Sequence, residues 1–196
     1  MTLVAALALG QGEALGLTWH TVDLDGGTLT VRQALQRQLG RGLVLVPPKS
    51  AAGRRTLALP PQLCGILRAH GAVRLEERPH AGSEWEDDGR VFAQRNGRPI
   101  DPRARRDWKA LLAAAGVRDA RLHDARHTAA TLLLTQGVAP RVAMQILGHS
   151  QISLTLGTYS HVVPELATDA ARRVGAALWG EVATTAARTA IPGWRR

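Results

Sequence analysis

Residues 121–130 read Arg-Leu-His-Asp-Ala-Arg-His-Thr-Ala-Ala, and related chemistry returns at Leu147-Gly148-His149-Ser150 and again at Thr158-Tyr159-Ser160-His161. His123 and Arg126 lie three positions apart, so on a helix they share a face. An imidazole beside a guanidinium makes a reasonable phosphate site. The arginine neutralises non-bridging oxygens while the histidine moves a proton or donates a hydrogen bond. His123 to Gln136 reads as a helix stopped by Gly137, and Ala139 to Leu147 as another stopped by Gly148, glycine being a common C-terminal stop. Tyr159 is the only tyrosine of the chain and stands among Gly, Thr, Ser and His rather than in an apolar stripe. Taken alone it has two readings: a packing tyrosine with a satisfied hydroxyl, or a reactive phenol.

Upstream of this stretch the pattern changes from helix to strand. Leu3 to Leu17 reads as a helix with apolar positions at 3, 7, 9, 14 and 17, weakened in its middle by Gly10 and Gly12. Thr21 to Leu24 and Thr28 to Val31 flank Asp25-Gly26-Gly27, a hairpin signature. Gly42 to Val46 reads as a further strand running into the tip Pro47-Pro48-Lys49-Ser50-Ala51-Ala52-Gly53. After the tip, Arg55 to Leu59 alternates and stops at Pro60-Pro61. About three antiparallel strands are expected. Helices are expected over Pro61–Glu77 and Pro102–Ala115, with a polar loop over His80–Gly89 and a turn at Asn96-Gly97. A last helix should run from Pro164 to Trp179, before a small-residue tail. The fold class is therefore α+β and mostly helical: a small N-terminal antiparallel sheet followed by a helical bundle.

Bulk composition narrows the partners. With 196 residues and 45% hydrophobic content the chain can bury one sizeable core. Lys plus Arg number 25 against 16 Asp plus Glu, a formal charge of +9. That excess points to a polyanion, nucleic acid before an anionic membrane surface. Nearly all the cations are arginine, whose planar fork suits phosphate. A single cysteine, Cys64, excludes an intrachain disulfide framework and fits a reducing compartment. The apolar opening lacks a basic n-region, and no apolar stretch approaches the ~20 residues needed to cross a bilayer. A cytoplasmic location with no membrane association is expected.

The motif order His-x-x-Arg-His-Thr, Leu-Gly-His-Ser, Thr-x-x-Tyr resembles the catalytic domain of tyrosine recombinases, the phage integrase family. Spacing agrees, with His149 following His123 by 26 residues and Tyr159 following His149 by 10. Gly12-Glu13-Ala14-Leu15-Gly16-Leu17-Thr18-Trp19 with Val22-Asp23-Leu24 is similar to the family's first catalytic box. Pro48-Lys49-Ser50 through Arg55-Thr56-Leu57-Ala58-Leu59-Pro60 is similar to its lysine-bearing hairpin. The resemblance covers roughly residues 5 to 170. It implies site-specific recombination of double-stranded DNA through a 3′-phosphotyrosyl intermediate, with Tyr159 as nucleophile. Arg126 and His149 would hold the non-bridging oxygens, His123 would assist proton transfer from the tyrosine, and Lys49 would protonate the leaving 5′ oxygen. No cofactor and no metal is implied. Self-association on DNA is expected, and accessory DNA-bending or directionality proteins are further possible partners. The C-terminal stripe Leu166, Ala170, Val174 and Leu178 either packs on its own core or docks on a neighbouring subunit.

Two departures qualify the resemblance. The family's first arginine stands three residues before the glutamate, which here is Gly10, and no basic residue precedes Arg32. Loss of one arginine that clamps a transferring phosphoryl group can cost ~10³–10⁵ in rate, so impaired chemistry is expected. The domain, residues 1–180, is also expected to be truncated at its N-terminal side and followed by a flexible tail over 181–196. Competing readings are a non-catalytic DNA-binding remnant, a type IB topoisomerase, and a metallohydrolase built on His123 and His127. The last is disfavoured because Asp124 stands where a zinc helix has glutamate and Arg126 would sit close to the metal.

Overall fold

A computed structural model describes residues 6–103, 106–114, 116, 121–150 and 163–179. Residues 6–7 close a helical turn, the chain breaks at 8–10, and helix α1 spans Gln11–Leu15. The helix expected over Leu3–Leu17 is thus interrupted at 8–10, and α1 lies closely on the strand that carries Leu35. A Cβ on Gly12 would lie 2.8 Å from the Leu35 carbonyl oxygen, and one on Gly16 would lie 3.0 Å from the Ala34 Cα. These glycines let helix and strand backbones touch, which offsets their poor helix propensity.

Five strands follow: β1 (Val22–Asp23), β2 (Thr28–Val31), β3 (Ala34–Gln38), β4 (Gly42–Val46) and β5 (Arg55–Ala58). They form two antiparallel sheets, β1-β2-β5 and β3-β4. The expected hairpin at Asp25-Gly26-Gly27 is present, with Val22 opposite Leu29. Strand Gly42–Val46 is also present, but it pairs with Ala34–Gln38 and not with the strand beyond Lys49. β5 instead joins β2, with Leu29 opposite Leu57 and Thr30 opposite Thr56. The alternation explains this register. Leu29, Val31, Leu57 and Leu59 turn one buried apolar face inward, while Thr30 and Thr56 meet outside with their hydroxyls 3.0 Å apart. Lys49 therefore lies on the link between two sheets rather than at a hairpin tip.

Helix α2 spans Pro61–Ala81, longer than the Pro61–Glu77 expected. Pro79 falls in its last turn, where His80 Nδ1 donates to the Glu76 carbonyl at 2.8 Å. α2 lays Leu63, Cys64 and Leu67 on the sheet to complete a first core with Leu9, Leu17, Leu29, Val31 and Val91. The turn at Asn96-Gly97 is present, followed by α3 (Arg106–Ala114), α4 (Leu122–Thr135), α5 (Pro140–Leu147) and α6 (Val163–Trp179). α4 and α5 build a second core from Ala129, Ala130, Leu134, Ala143 and Leu147, and Ala8 plugs it with no exposure. Ala8 and Leu9 thus point into different cores, so the break at 8–10 joins the sheet half to the helical half.

On α6, Ala170, Val174 and Leu178 are exposed, so this part of the stripe does not pack on its own core. Among the described residues no helix is long and apolar enough to cross a membrane. Residues 181–196 and the segment that carries Tyr159 lie outside the described residues. Leu29, central in β2 and fully buried, gives a direct test of the first core. Leu29→Ala should lower unfolding free energy by about 2–5 kcal/mol in urea melts, and a loss below about 1 kcal/mol would contradict this packing.

Candidate functional site

Four segments distant in sequence converge where the two cores meet. α4 supplies Arg126, whose side chain is only 13% exposed. Its Nη1 donates to the Ala8 carbonyl at 2.9 Å and faces Glu13 Oε2 at 3.4 Å, while its Nη2 donates to the Leu147 carbonyl. That last bond fixes Arg126 to the end of α5, two residues before His149. The α5 helix stops at Gly148 in a left-handed conformation with φ 68°, and the His149 amide closes the cap on the Met144 carbonyl at 3.1 Å.

Gly148 is required for a second reason. A Cβ there would lie 2.6 Å from Arg55 Nη1 and 3.2 Å from the Ala52 carbonyl oxygen. The segment carrying Lys49 is therefore folded against the His149 turn. It is a compact turn, with the Gly53 amide donating to the Ser50 carbonyl at 3.0 Å. Lys49 itself is exposed on it.

Arg55, at the start of β5, is 7% exposed and holds Glu13 with both terminal nitrogens, Nη1 to Oε1 at 2.8 Å and Nη2 to Oε2 at 2.9 Å. Its Nε donates to the Ile146 carbonyl at 2.7 Å, and Nη1 also reaches the Gly53 carbonyl at 3.2 Å. Glu13 Oε2 accepts in addition from the Gly10 amide at 2.8 Å. Burial alone would raise the Glu13 pKa. The hydrogen bond and charge of Arg55, the Gly10 amide and the charge of Arg126 outweigh it and hold the carboxyl below its ordinary 4.5. His149 is pushed below its ordinary 6.5, chiefly by burial, then by the charges of Arg126, Arg55 and His127, against an opposing pull from Glu13. The site therefore favours a neutral imidazole.

Of the expected site residues, the structure brings Arg126, His149 and the Lys49 segment together. The backbone of His123 lies in the first turn of α4, three positions before Arg126, and its side chain lies outside the described residues. Tyr159 also lies outside them. Gly10 is at the site: a Cβ grown on it would start 3.7 Å from Arg126 Nη1, and its φ of −67° and ψ of 151° suit any residue. Just before it, Ala8 has φ 51°, the only positive value on a non-glycine among the described residues, a conformation that costs about 1–3 kcal/mol. That turn directs the Ala8 carbonyl onto Arg126. Sequence reading did not single out Arg55, whose signal was only an arginine opening an alternating strand after a Pro/Gly-rich segment.

The model of the phage integrase family matches residues 1–165. An integrase of Saccharopolyspora erythraea is 39% identical, over 90% of this chain and 53% of its own. A XerC-like tyrosine recombinase of Caldanaerobacter subterraneus is 33% identical, over 86% of this chain and 46% of its own. Among solved structures, the Tn1549 transposon integrase in complex with a circular intermediate DNA aligns with a TM-score of 0.70 at 22% identity, covering 88% of this chain and 56% of that one. The XerA recombinase aligns at 0.65, also with 22% identity, covering 88% and 55%. At that identity the structural likeness is one of fold. The chain spans about half the length of the relatives it matches.

The two lowered pKa values fix a pH dependence. In each case the unfolded chain binds its proton more readily than the folded one, so acid favours unfolding. The contribution of Glu13 is full above 4.5 and is lost as pH falls through its folded value. That of His149 starts to fall below 6.5. Urea midpoints should therefore decline in two stages, below 6.5 and again below 4.5, and His149→Gln should shrink the first stage. A flat profile between pH 7 and 5 would contradict a half-buried, neutral His149.

Proposed function

The chain belongs to the phage integrase family, the tyrosine recombinases, and from that premise we propose that residues 1–180 carry a DNA strand-exchange site of weakened activity. The observation that carries the reading is the bond from Arg126 to the Leu147 carbonyl. It ties the guanidinium to the His149 turn, beside the folded Lys49 segment. A scissile phosphate bound there would have one non-bridging oxygen on Arg126 and another on the His149 imidazole, which donates while neutral. The Tyr159 hydroxyl attacks phosphorus and forms the 3′-phosphotyrosyl bond as the bond to the 5′ oxygen breaks. His123 takes up the phenol proton, and Lys49 gives a proton to the departing 5′ oxygen. The ester conserved on Tyr159 then serves as the electrophile for rejoining.

The weakness lies at position 10. A second guanidinium is expected beside Arg126, and the residue whose Cβ would start there is glycine. Removing one such clamp costs ~10³–10⁵ in rate. This same observation supports the second reading, a DNA-binding remnant that holds double-stranded DNA without cutting it. The charge of +9 supports DNA binding in either case. Self-association on DNA is supported by exposed Val174 and Leu178 on α6. Accessory DNA-bending or directionality proteins would act on the assembled complex.

The test is a nicked suicide substrate bearing the attachment site of the chain's own element. The parent chain should accumulate a slow covalent complex that Tyr159→Phe abolishes while leaving DNA affinity within about threefold. Gly10→Arg should accelerate it at least ~10-fold. Binding without any covalent complex, in the parent and in Gly10→Arg alike, selects the remnant. Fast covalent capture by the parent overturns the weakness.

A further inference from the structure

Arg55 lies outside the residues to which the proposed chemistry assigns a step, yet it bonds two of the other three segments that form the site. Both its terminal nitrogens engage Glu13 at 2.8 and 2.9 Å, Nε engages the Ile146 carbonyl at 2.7 Å, and Nη1 also reaches Gly53. With 7% of its side chain exposed, its contacts are inward. We propose that Arg55 is a positioning residue for the strand-exchange site, acting through Glu13 on Arg126 and through the Ile146–Gly148 backbone on His149. The inference rests on the strand-exchange reading of that site.

The geometry separates this role from that of a simple structural ion pair. Glu13 Oε2 is shared: Arg55 Nη2 holds it at 2.9 Å, the Gly10 amide at 2.8 Å, and Arg126 Nη1 faces it at 3.4 Å. Of the two guanidinium groups, Arg55 is the closer to the carboxylate, which steers Arg126 from further away. On its other side, Arg55 holds the Ile146 carbonyl while Arg126 holds the next one, Leu147. Consecutive carbonyls at the end of α5 are thus pinned by the two arginines. The glycine that follows leaves room for Arg55 Nη1, which would lie 2.6 Å from any Cβ there. The fork matters, because a lysine offers one point charge and does not reproduce a bidentate hold on two carboxylate oxygens with a separate donor to the Ile146 carbonyl. A displacement of about 1 Å in groups that hold a reacting phosphate can cost ~10²-fold.

The experiment uses the full chain with Arg55→Gln and Arg55→Lys, read three ways: DNA affinity, the rate of covalent complex at saturating nicked DNA, and the His149 titration by NMR. Affinity should stay within about threefold of the parent. The saturated rate should fall at least ~100-fold in Arg55→Gln and less in Arg55→Lys, which keeps the charge and loses the fork. The His149 midpoint should rise in Arg55→Gln, because a cation that opposes its protonation is gone. Lowered melting temperature with unchanged saturated rate overturns the proposal and leaves Arg55 structural. If Arg55→Gln does not fold, Arg55→Lys decides: a saturated rate lowered at least ~10-fold supports the proposal, and an unchanged rate overturns it. If the parent forms no covalent complex, the strand-exchange reading fails and this proposal falls with it, whereas covalent capture at an unchanged saturated rate in Arg55→Gln overturns the proposal alone.

Discussion

Glu13 is a carboxylate held out of water between two guanidinium groups, and each segment of the site is anchored to one member of that trio. Glu13 comes from α1, Arg55 from β5 and Arg126 from α4, while the end of α5 enters through the Ile146 and Leu147 carbonyls. Breaking such a buried pair by removing one partner costs about 3–5 kcal/mol, because the remaining charge is stranded. The trio also lies at the seam of the molecule. Leu9 belongs to the core under the sheet and Ala8 to the core between α4 and α5. The ion cluster and the divergence of these two adjacent side chains lock the two halves together.

Much of this was legible because periodicity and turn chemistry report local structure faithfully. Leu29, Val31, Leu57 and Leu59 alternate, and they form one sheet face. His123 and Arg126 share α4 as their spacing requires, and Gly137 and Gly148 close helices where glycine was expected to do so. Strand β3 was missed because Ala34-Leu35-Gln36-Arg37-Gln38 is made of good helix formers. It is a strand because β4 pairs with it along its full length and α1 lies on it. Once β4 is taken by β3, β5 must pair elsewhere, which moved Lys49 from a hairpin tip to a link between sheets.

The candidate site was legible as a set of residue types and not as a network. Arg126, His149 and Lys49 carry groups whose chemistry is recognisable in isolation. Arg55 is one arginine among many, and its importance comes only from what surrounds it. Its partners lie 42 and 91 positions away along the chain, at Glu13 and Ile146. No local pattern encodes such a contact. The break at 8–10 was hidden similarly, since an apolar run of Ala and Leu has every local reason to be helical. It turns only because its side chains are claimed by two cores and its carbonyl by Arg126.

The division of labour within the trio bears on how the site can attract a phosphate. Two guanidinium charges meet one carboxylate, so one positive charge remains, and its location depends on which arginine takes Glu13. Arg55 binds both oxygens at 2.8 and 2.9 Å, and Arg126 approaches one of them only at 3.4 Å. The excess charge is therefore concentrated on Arg126, the group that stands beside His149. Its orientation is set in advance by neutral carbonyls of Ala8 and Leu147, which align the fork without cancelling its charge. A cation fixed in this way needs little reorganisation when negative charge develops next to it. Had Glu13 taken Arg126 at the shorter distances instead, more of the remaining charge would lie on Arg55, against Gly148. The bidentate grip of Arg55 is what leaves Arg126 the longer of the two approaches to Glu13.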